Sequence, residues 1–419
     1  MKKNLDFETL DINIEEFDPT IKVYDESAYY IDCDATLQAI IPIEEDYYLL
    51  FDRTVFFPEE GGQTCDRGTI SFEDTTLNVI DVHIQKANGR EYIFHRISGK
   101  SINPNTFSKG TVFHQEIDFD HRYSNMQNHT GEHIFSGIVK MKFGYENVGF
   151  HLSDNIVTMD YSGPLSDEDI AEIEHEVNYV IKEDFPVYCT YPTKEELTDL
   201  DYRSKIEIDG PVRIVTIPGV DTCACCAPHV NSTCEIGMFV VLSSQSYKGG
   251  TRLSVLSGWR ALEYTKSNQK LLEELSHDLK LPFEEIPDGV NKLLSDIDTL
   301  KREKASLQTE LLNMKLTSLP PNGKSICIHV PEADSRVKRD CINNLKSSRS
   351  KYVMIMDGSN GHYSFIMGSS DSNCNDVLSD LRTSIDVKGG GKPEMVQGSM
   401  DGDIEEIKKI LLDADFSFI

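Results

Sequence analysis

The sequence predicts an α+β protein made of four successive parts. The chain opens with short runs of alternating apolar and polar residues between Gly, Asn and Pro turns, a pattern typical of β-strands. A later stretch has apolar residues about every 3.5 positions, and the last stretch alternates strands with helices. The predicted parts are a small β-barrel (1–115), an α/β core with an antiparallel sheet (116–260), a helical hairpin or coiled coil (261–318) and a C-terminal α/β domain (322–419).

The barrel is predicted from strand-like runs such as Tyr47–Phe51 and Leu77–Val82. Between these two runs lies the segment Thr54–Gly68, which contains the tripeptide Gly61-Gly62-Gln63. Adjacent glycines allow positive φ angles and a close approach of the backbone to another group. Taken alone, such a glycine pair is more often an ordinary hairpin turn.

The core contains two pairs of metal-ligand side chains. His129 and His133 are four positions apart in a stretch with helical apolar spacing, and Cys225 and His229 are four apart much later in the chain. On a helix, side chains at i and i+4 lie on one face. Three nitrogens and one sulfur form a ligand set that zinc accepts. The alternatives are that the histidines are ordinary core residues, or that a neighbouring thiol (Cys223 or Cys226) replaces Cys225.

The helical part has apolar residues that alternate by four and three positions, with one lysine among them: Leu293, Ile297, Leu300, Lys304, Leu307, Leu311 and Met314. This heptad spacing predicts a coiled-coil seam. The seam could pair with a second copy of the chain, giving a homodimer, or pack back on residues 260–280. Three heptads do not decide between these pairings.

The C-terminal part is predicted to follow a linker at Pro320–Gly323. It contains Gly389-Gly390-Gly391-Lys392-Pro393, which predicts a flexible loop that exposes backbone N–H groups to a phosphate or an RNA end. The alternative is an ordinary surface loop.

The net charge of −29 argues against a general polyanion-binding protein. Met1–Thr20 has no apolar core of a signal peptide, and no apolar run approaches the length of a membrane span. The ten cysteines are partly clustered rather than spread as a disulfide framework. We therefore expect reduced thiols or metal ligands, a cytoplasmic location and no membrane partner.

The order of these motifs resembles one known family. A β domain with Gly-Gly-Gln comes first, then Asn128-His129-Thr130-Gly131-Glu132-His133, then Cys225–His229, a heptad helix and Gly-Gly-Gly-Lys-Pro. This arrangement is similar to the editing portion of alanyl-tRNA synthetases and to the free-standing alanyl-tRNA editing (AlaX) proteins. The resemblance covers nearly the full chain. It implies that the last part is the DHH-associated domain of the long form of these proteins.

The resemblance implies a trans-editing hydrolase that removes serine, and in some cases glycine, from mischarged tRNA-Ala by zinc-assisted ester hydrolysis. It implies one Zn²⁺ per chain, held by His129, His133, Cys225 and His229. No side chain is expected to act as the nucleophile, so the attacking group would be a water on or beside the metal.

The same resemblance assigns further residues to binding. The glycine motif implies substrate contacts from Gly61, Gly62, Gln63 and Asp66, and Thr54 matches a threonine implicated in recognising the serine hydroxyl. His151 stands near the position of a family glutamine that this chain lacks. Residues Gly389, Gly390, Gly391, Lys392 and Pro393 match a motif whose domain contacts tRNA and contributes to dimerisation in the synthetase.

Three rival functions remain open at this point. The first is a zinc-stabilised tRNA-binding module without hydrolase activity. The second is a threonyl-type editing domain, which shares the paired His and Cys/His motifs. The third is a phosphoesterase, disfavoured because the sequence has no Asp-His-His motif.

Overall fold

The computed structural model describes residues 13–101, 106–204, 211–317, 324–345 and 350–419. The chain forms two compact units, which divide between Leu271 and Leu272. This division is coarser than the four predicted parts, whose separate boundaries stay a prediction. Within the described residues, no helix is both long and apolar enough to span a membrane.

The N-terminal part is the predicted β-barrel. Six strands close it, in the order β2-β3-β7-β6-β5-β8, and its last strand ends two residues beyond the predicted boundary at 115. Its inward-facing side chains, among them Leu49, Phe51, Ile93 and Phe113, are fully buried. The elements are β1 (Ile21–Lys22), α1 (Val23–Glu26), β2 (Asp32–Ile43), β3 (Asp46–Phe51), β4 (Arg53–Thr54), β5 (Gly68–Phe72), β6 (Thr75–Ala87), β7 (Arg90–Ser98) and β8 (Val112–Ile117).

A long helix, α2 (Phe119–Phe143), follows the barrel and is the centre of the first unit. The Asp118 side chain caps its first turn by accepting a hydrogen bond from the His121 amide, and Gly144 ends it in the left-handed conformation. The helix thus begins ten residues before His129. Its middle section, from Asn125 to Val139, is buried on all sides, including the polar residues.

Two antiparallel sheets and a capped helix pack around α2, as predicted for the core. One sheet has the order β14-β15-β10-β9 and the other β11-β12-β13. A capping box between Ser166 and Asp169 starts α3, whose buried face packs on α2. The elements are β9 (Asn147–Leu152), β10 (Val157–Tyr161), α3 (Asp167–Glu183), β11 (Tyr188–Thr190), α4 (Lys194–Thr198), β12 (Ile214–Ile217), β13 (Asp221–Ala224), β14 (Phe239–Tyr247), β15 (Gly250–Ser257) and α5 (Gly258–Leu279).

The heptad stretch forms a single helix, α6 (Ile286–Thr317). Its predicted seam is exposed in the described chain: Leu300 is 62% and Leu307 65% accessible. The helix packs on the C-terminal part through Ala305 and Leu312, which lie beside the seam rather than in it. The coiled-coil pairing of the seam therefore stays a prediction.

The C-terminal part is a six-stranded mixed sheet in the order β19-β20-β18-β17-β16-β21, with helices packed on it. The predicted linker at Pro320–Gly323 lies outside the described residues. The assignment of this part to the DHH-associated domains stays a prediction. The elements are β16 (Ser325–Val330), α7 (Ser335–Leu345), β17 (Val353–Ser359), β18 (His362–Gly368), α8 (Cys374–Leu381), β19 (Asp386–Lys392), β20 (Met395–Asp401), α9 (Ile404–Asp413) and β21 (Phe416–Phe418).

The triple glycine is not the flexible loop that the sequence predicted. It lies in edge strand β19, where Gly389 pairs with Gly398 and Gly391 with Val396. A Cβ atom on Gly389 or Gly391 would come within 2.3 Å of a carbonyl oxygen of β20, so these glycines permit a close approach of two strands. The other edge of β19 is partly covered, because Arg382 donates a hydrogen bond to the Gly389 carbonyl.

Candidate metal centre

Helix α2 and the segment after β13 bring the four predicted ligands together. His129 and His133 occupy successive turns of α2, and both are almost fully buried. Cys225 and His229 lie in the turn that follows β13. The Arg213 guanidinium fixes this turn by donating hydrogen bonds to the carbonyl oxygens of Cys225 (3.1 Å) and Ala227 (2.7 Å).

One donor atom from each of the four residues lies within 4.8 Å of the other three. The Cys225 sulfur is 3.5 Å from Nε2 of His129 and 3.4 Å from Nε2 of His229. The neighbouring thiols are elsewhere. Cys223 belongs to a different group, with His133 and Asp221. Cys226 packs near Gly61 of the barrel loop, where a Cβ on that glycine would lie 3.4 Å from its sulfur. Among the three thiols, Cys225 is therefore the one that completes the four-residue cluster.

The outward ring nitrogen of each histidine has its own partner. Nδ1 of His129 is 2.8 Å from Oε1 of Gln63, and Nδ1 of His133 is 2.9 Å from Oδ2 of Asp221. Nδ1 of His229 is 3.0 Å from the Thr130 hydroxyl. Such partners fix the tautomer and the ring orientation of metal-binding histidines. With three imidazole nitrogens and one sulfur facing inward, these residues fit a tetrahedral zinc ion.

The ionisation of Cys225 and His229 also suits a metal. Burial opposes ionisation of the Cys225 thiol, but the rings of His129, His229 and His133 together outweigh burial and hold the pKa of Cys225 well below its usual value. Burial lowers the pKa of His229 to about 3, so its imidazole is neutral at physiological pH. A thiolate and a neutral imidazole are the forms that bind zinc.

A second layer of charge supports His133. Asp221 accepts hydrogen bonds from Nε and Nη2 of Arg203, at 2.7 and 2.8 Å, in addition to the one from His133. Residues Asp221, Arg203 and Thr130 were not predicted as part of the site. Thr130 stands inside the His129–His133 motif, and Asp221 shortly before Cys223, but neither position identifies a partner across the fold.

The cluster is backed by a buried polar network that the sequence did not predict. Oε1 of Glu132 accepts hydrogen bonds from the Ser136 hydroxyl (2.7 Å) and the Asn147 amide (2.6 Å). The Ser136 hydroxyl also lies 2.9 Å from the Tyr161 hydroxyl. Oε2 of Glu132 is 3.8 Å from Nε2 of His133. The network rigidifies the α2 turn that carries His133.

The Gly-Gly-Gln segment lies against the cluster. Gly61 and Gly62 both have positive φ angles (63° and 82°), and a Cβ on Gly62 would lie 2.6 Å from the carbonyl oxygen of Phe150 in β9. The Phe150 ring is 4.7 Å, centre to centre, from the His129 ring. The glycines therefore allow the loop to approach α2 closely enough for Gln63 to contact His129.

Two predicted substrate residues, Asp66 and His151, do not face the cluster, and their role in substrate binding stays a prediction. Asp66 is fully buried, and both of its carboxylate oxygens accept hydrogen bonds from Arg122 at 2.9 Å. It also accepts a hydrogen bond from the Phe57 amide. Asp66 is thus a structural ion-pair partner of α2. His151 is exposed and follows Phe150 in β9, so its side chain is on the opposite face of the strand from the cluster.

Thr54 is buried inside the barrel. Its hydroxyl is 2.7 Å from Nε2 of His95 and 2.8 Å from Oε1 of Gln115, and it accepts a hydrogen bond from the Phe56 amide. None of its described contacts reaches the four-ligand cluster. The predicted role of Thr54 in recognising a serine hydroxyl therefore requires the hydroxyl to exchange one of these partners.

Comparisons with known proteins agree with the motif order. A family model described as "tRNA synthetases class II (A)" matches residues 15–121. One described as "Threonyl and Alanyl tRNA synthetase second additional domain" matches residues 212–254, which include Cys225 and His229.

The similar proteins include alanyl-tRNA editing protein AlaX-L of Pyrococcus horikoshii, 26% identical over 94% of this chain and 97% of that protein. Alanyl-tRNA editing protein Aarsd1 of Rattus norvegicus is 24% identical over 84% of each chain. Alanine–tRNA ligase of Methanopyrus kandleri is 26% identical over 85% of this chain but only 40% of the ligase. The resemblance predicted from the motifs is confirmed.

Proposed function

We propose that this chain is a trans-editing hydrolase that removes serine from mischarged tRNA-Ala by zinc-assisted hydrolysis of the aminoacyl ester. The observation that carries the proposal is the four-residue cluster, with every outward histidine nitrogen already paired. The similarity along nearly the whole length of an alanyl-tRNA editing protein supports the substrate. Such a reaction belongs in the cytoplasm, where aminoacylated tRNA is made and used.

His129, His133, Cys225 and His229 would hold the ion. Bound zinc supplies a Lewis acid that can polarise the ester carbonyl or lower the pKa of a water. Gln63, Asp221 and Thr130 keep the three rings oriented, so that little reorganisation is needed when substrate binds.

Among the described residues near the cluster, Ser136 and Cys226 are poor candidates for a protein nucleophile. The Ser136 hydroxyl donates its hydrogen bond to Glu132, inside the buried network. Burial raises the pKa of the Cys226 thiol well above its usual value, so it is protonated and a weak nucleophile at neutral pH. Water is therefore the attacking group in this proposal.

The direct test uses purified protein with seryl-, glycyl- and alanyl-tRNA-Ala, with and without a metal chelator. We expect release of serine, little release of alanine, and loss of activity on chelation that zinc restores. The glycyl substrate tests whether the site also accepts an amino acid without a side chain. If wild-type protein with zinc releases no serine, the proposed function is wrong and a non-catalytic tRNA-binding module becomes the better explanation.

A threonyl-type editing domain is the second candidate, because the family model that matches residues 212–254 is named for both synthetases. The two candidates share their metal ligands but differ in the tRNA they accept. Seryl-tRNA-Thr in the same assay separates them. Faster release of serine from tRNA-Thr than from tRNA-Ala would favour the threonyl type.

We assign selection of serine over alanine to Thr54. A site that hydrogen-bonds a hydroxyl can discriminate steeply between substrates with and without it. Thr54→Val keeps the shape and removes the hydroxyl, so the ratio of kcat/KM for seryl over alanyl substrate should fall. Because His95 and Gln115 also lose a partner, urea unfolding of the variant is the accompanying control. An unchanged ratio in a folded variant contradicts this assignment.

Strand β19 and the turn after it, from Gly389 to Pro393, are proposed to contact tRNA. Gly390 offers a clean test, since a Cβ there meets no atom within 4 Å. Gly390→Asp should leave the sheet folded but weaken tRNA binding by charge repulsion. Gly389→Asp should instead destabilise the domain, because its Cβ would clash with the Gln397 carbonyl at 2.3 Å. If Gly390→Asp binds tRNA as wild type does, this strand is not a contact surface.

A homodimer through α6 and the C-terminal part is the final element of the proposal. The exposed heptad leucines support it, since an apolar seam of this length is usually covered by a partner. Leu300→Glu places a charge in the seam and should convert a dimer to a monomer in sedimentation experiments. A wild-type protein that sediments as a monomer at micromolar concentration would rule the dimer out.

A further inference from the structure

Buried polar atoms without partners are concentrated at one place in the first unit. Within the described residues, seven buried side-chain nitrogens or oxygens have no hydrogen-bond partner. Four of them belong to the Gly-Gly-Gln loop and the first half of α2: Gln63 Nε2, Thr64 Oγ1, His121 Nδ1 and Asn125 Nδ2. Since buried polar groups in proteins are nearly always paired, this concentration indicates a missing partner.

These four residues of the first unit border a common seam, which is separate from the heptad seam of α6 and ends at the last residues of β9. The Thr64 amide donates to the Leu152 carbonyl at 3.4 Å. The next residue, Ser153, is connected to α2 through the Arg260 guanidinium. This group donates one hydrogen bond to the Ser153 carbonyl (2.8 Å) and another to Oδ1 of Asn125 (2.6 Å). Loop, helix and strand end therefore meet around Arg260.

His121 closes the same seam, since its Nε2 is 2.9 Å from Oδ1 of Asp154, the residue after Ser153. Arg67 of the barrel loop forms an ion pair with the other oxygen of Asp154. The seam is defined by Gln63, Thr64, His121, Asn125 and Arg260, and described contacts join three of these residues to the strand end from Leu152 to Asp154.

The two amide groups are oriented by their partners. Arg260 can only donate, so the atom of Asn125 that it meets is the carbonyl oxygen, and the NH₂ group is the unpaired end. His129 with its Nε2 turned to the metal ligands donates from Nδ1, so Gln63 offers it a carbonyl oxygen and also leaves its NH₂ unpaired. The NH₂ groups of Asn125 and Gln63 can therefore still donate hydrogen bonds to an acceptor.

The seam also carries positive charge in a chain of net charge −29. The hydrogen bonds of Arg260 go to two neutral oxygens, so that its charge is not neutralised by direct contact with a carboxylate. Amide donors beside a partly buried guanidinium favour an anion with several acceptor oxygens. Phosphate is the anion of this kind that an RNA substrate brings.

We propose that this seam is a subsite for one phosphate of the RNA substrate, on the 5′ side of its terminal nucleotide. The assignment rests on the proposed function. Asn125 is one helical turn, about 6 Å along the axis, from the metal-ligand residue His129. If the aminoacyl ester lies at the cluster, the terminal ribose of the RNA spans that distance. The phosphate on the 5′ side of this ribose then reaches the seam.

The test measures binding of an uncharged, fluorescently labelled RNA ending in CCA, so that it does not depend on hydrolysis. Two RNAs are compared, one with a normal terminal phosphodiester and one with a neutral methylphosphonate at that linkage. Wild-type protein should bind the neutral RNA at least tenfold more weakly.

Asn125→Asp replaces the NH₂ donor by an oxygen but keeps an acceptor for Arg260, so the contact to the strand end is retained. This variant should bind the normal RNA at least tenfold more weakly than wild type does. It should no longer discriminate against the neutral RNA, because the phosphate loses one donor and is repelled by the new carboxylate. In Arg260→Gln the slope of log affinity against log salt should fall by about 0.7, as expected for one phosphate contact on a single strand.

Lys142→Gln is the control for charge. Lys142 is near the other end of α2 and is paired with Glu172 and Glu176. The variant should retain the wild-type preference for the charged linkage and the wild-type salt slope. If wild-type protein binds both RNAs equally, or if Asn125→Asp keeps the full preference, the seam holds only water. If the preference is present while wild-type protein releases no serine, the phosphate subsite stands and the proposed reaction fails.

Discussion

Asp221→Asn tests how far the residues behind the cluster control metal binding. Oδ2 of Asp221 accepts hydrogen bonds from Nδ1 of His133 and Nη2 of Arg203, and Oδ1 accepts one from Nε of Arg203. The three distances are 2.7 to 2.9 Å. Asparagine has one acceptor oxygen and one donor NH₂ at these positions. It can therefore satisfy His133 or part of the Arg203 fork, but it cannot accept from both groups as the carboxylate does.

The size of the effect follows from these contacts. Loss of a partner behind a metal-binding histidine typically lowers metal affinity about 10–100-fold, or about 1.4–2.8 kcal/mol. The Arg203 side chain is only 10% exposed, so its charge would be left nearly buried without a carboxylate. Removal of one partner from a buried ion pair costs about 3–5 kcal/mol of folding stability. Because asparagine still accepts one hydrogen bond, we expect about 3 kcal/mol.

Zinc affinity is measured by competition with a chromophoric chelator, and stability by urea unfolding of the metal-free protein. The matched control is Asp160→Asn, since Asp160 also binds an arginine, Arg252, through two hydrogen bonds of 2.6 Å. That pair is more exposed and has no described contact with the cluster, so the control should lose less than about 1 kcal/mol and bind zinc normally. Equal zinc affinity in both variants would refute the role assigned to Asp221.

The Gly62→Ala variant should lose most of its hydrolytic activity, because its Cβ would clash with the Phe150 carbonyl at 2.6 Å and displace the loop that carries the contact to His129; full activity in a steady-state assay contradicts this. In the C-terminal part, burial opposes ionisation of Asp357, but the hydrogen bond from Lys338 holds the pKa of Asp357 below its usual value. The folded-state pKa is depressed, so this stability is present above about pH 4 and is lost as the pH falls further. Urea unfolding of the second unit between pH 3 and pH 7 should show this acid loss in wild type and a flatter profile in Asp357→Asn, and identical profiles would exclude the ion pair as its cause.

Much of this protein was readable from its sequence because the signals were local. Alternation of apolar residues predicted the barrel strands, and helical spacing placed His129 and His133 on one face of α2. The run Ser166-Asp167-Glu168-Asp169 has the local pattern of a capped helix start, and a capping box between Ser166 and Asp169 does begin α3. In each case the physical cause acts within a few residues, so the pattern survives without knowledge of the fold.

The tertiary structure decided what surrounds these elements. Gln63, Asp221 and Thr130 lie 66, 88 and 99 residues from the histidines they orient, and nothing in their local sequence specifies such partners. The same applies to Asp66, whose carboxylate was expected to meet substrate but is taken by Arg122, 56 residues away. The triple glycine was predicted as a loop, because only its neighbour β20 shows that it belongs to a closely spaced strand pair. Helical periodicity thus determined the His129–His133 pair, whereas packing across the fold determined how Cys225 and His229 join it, how the rings are held and which polar atoms stay open.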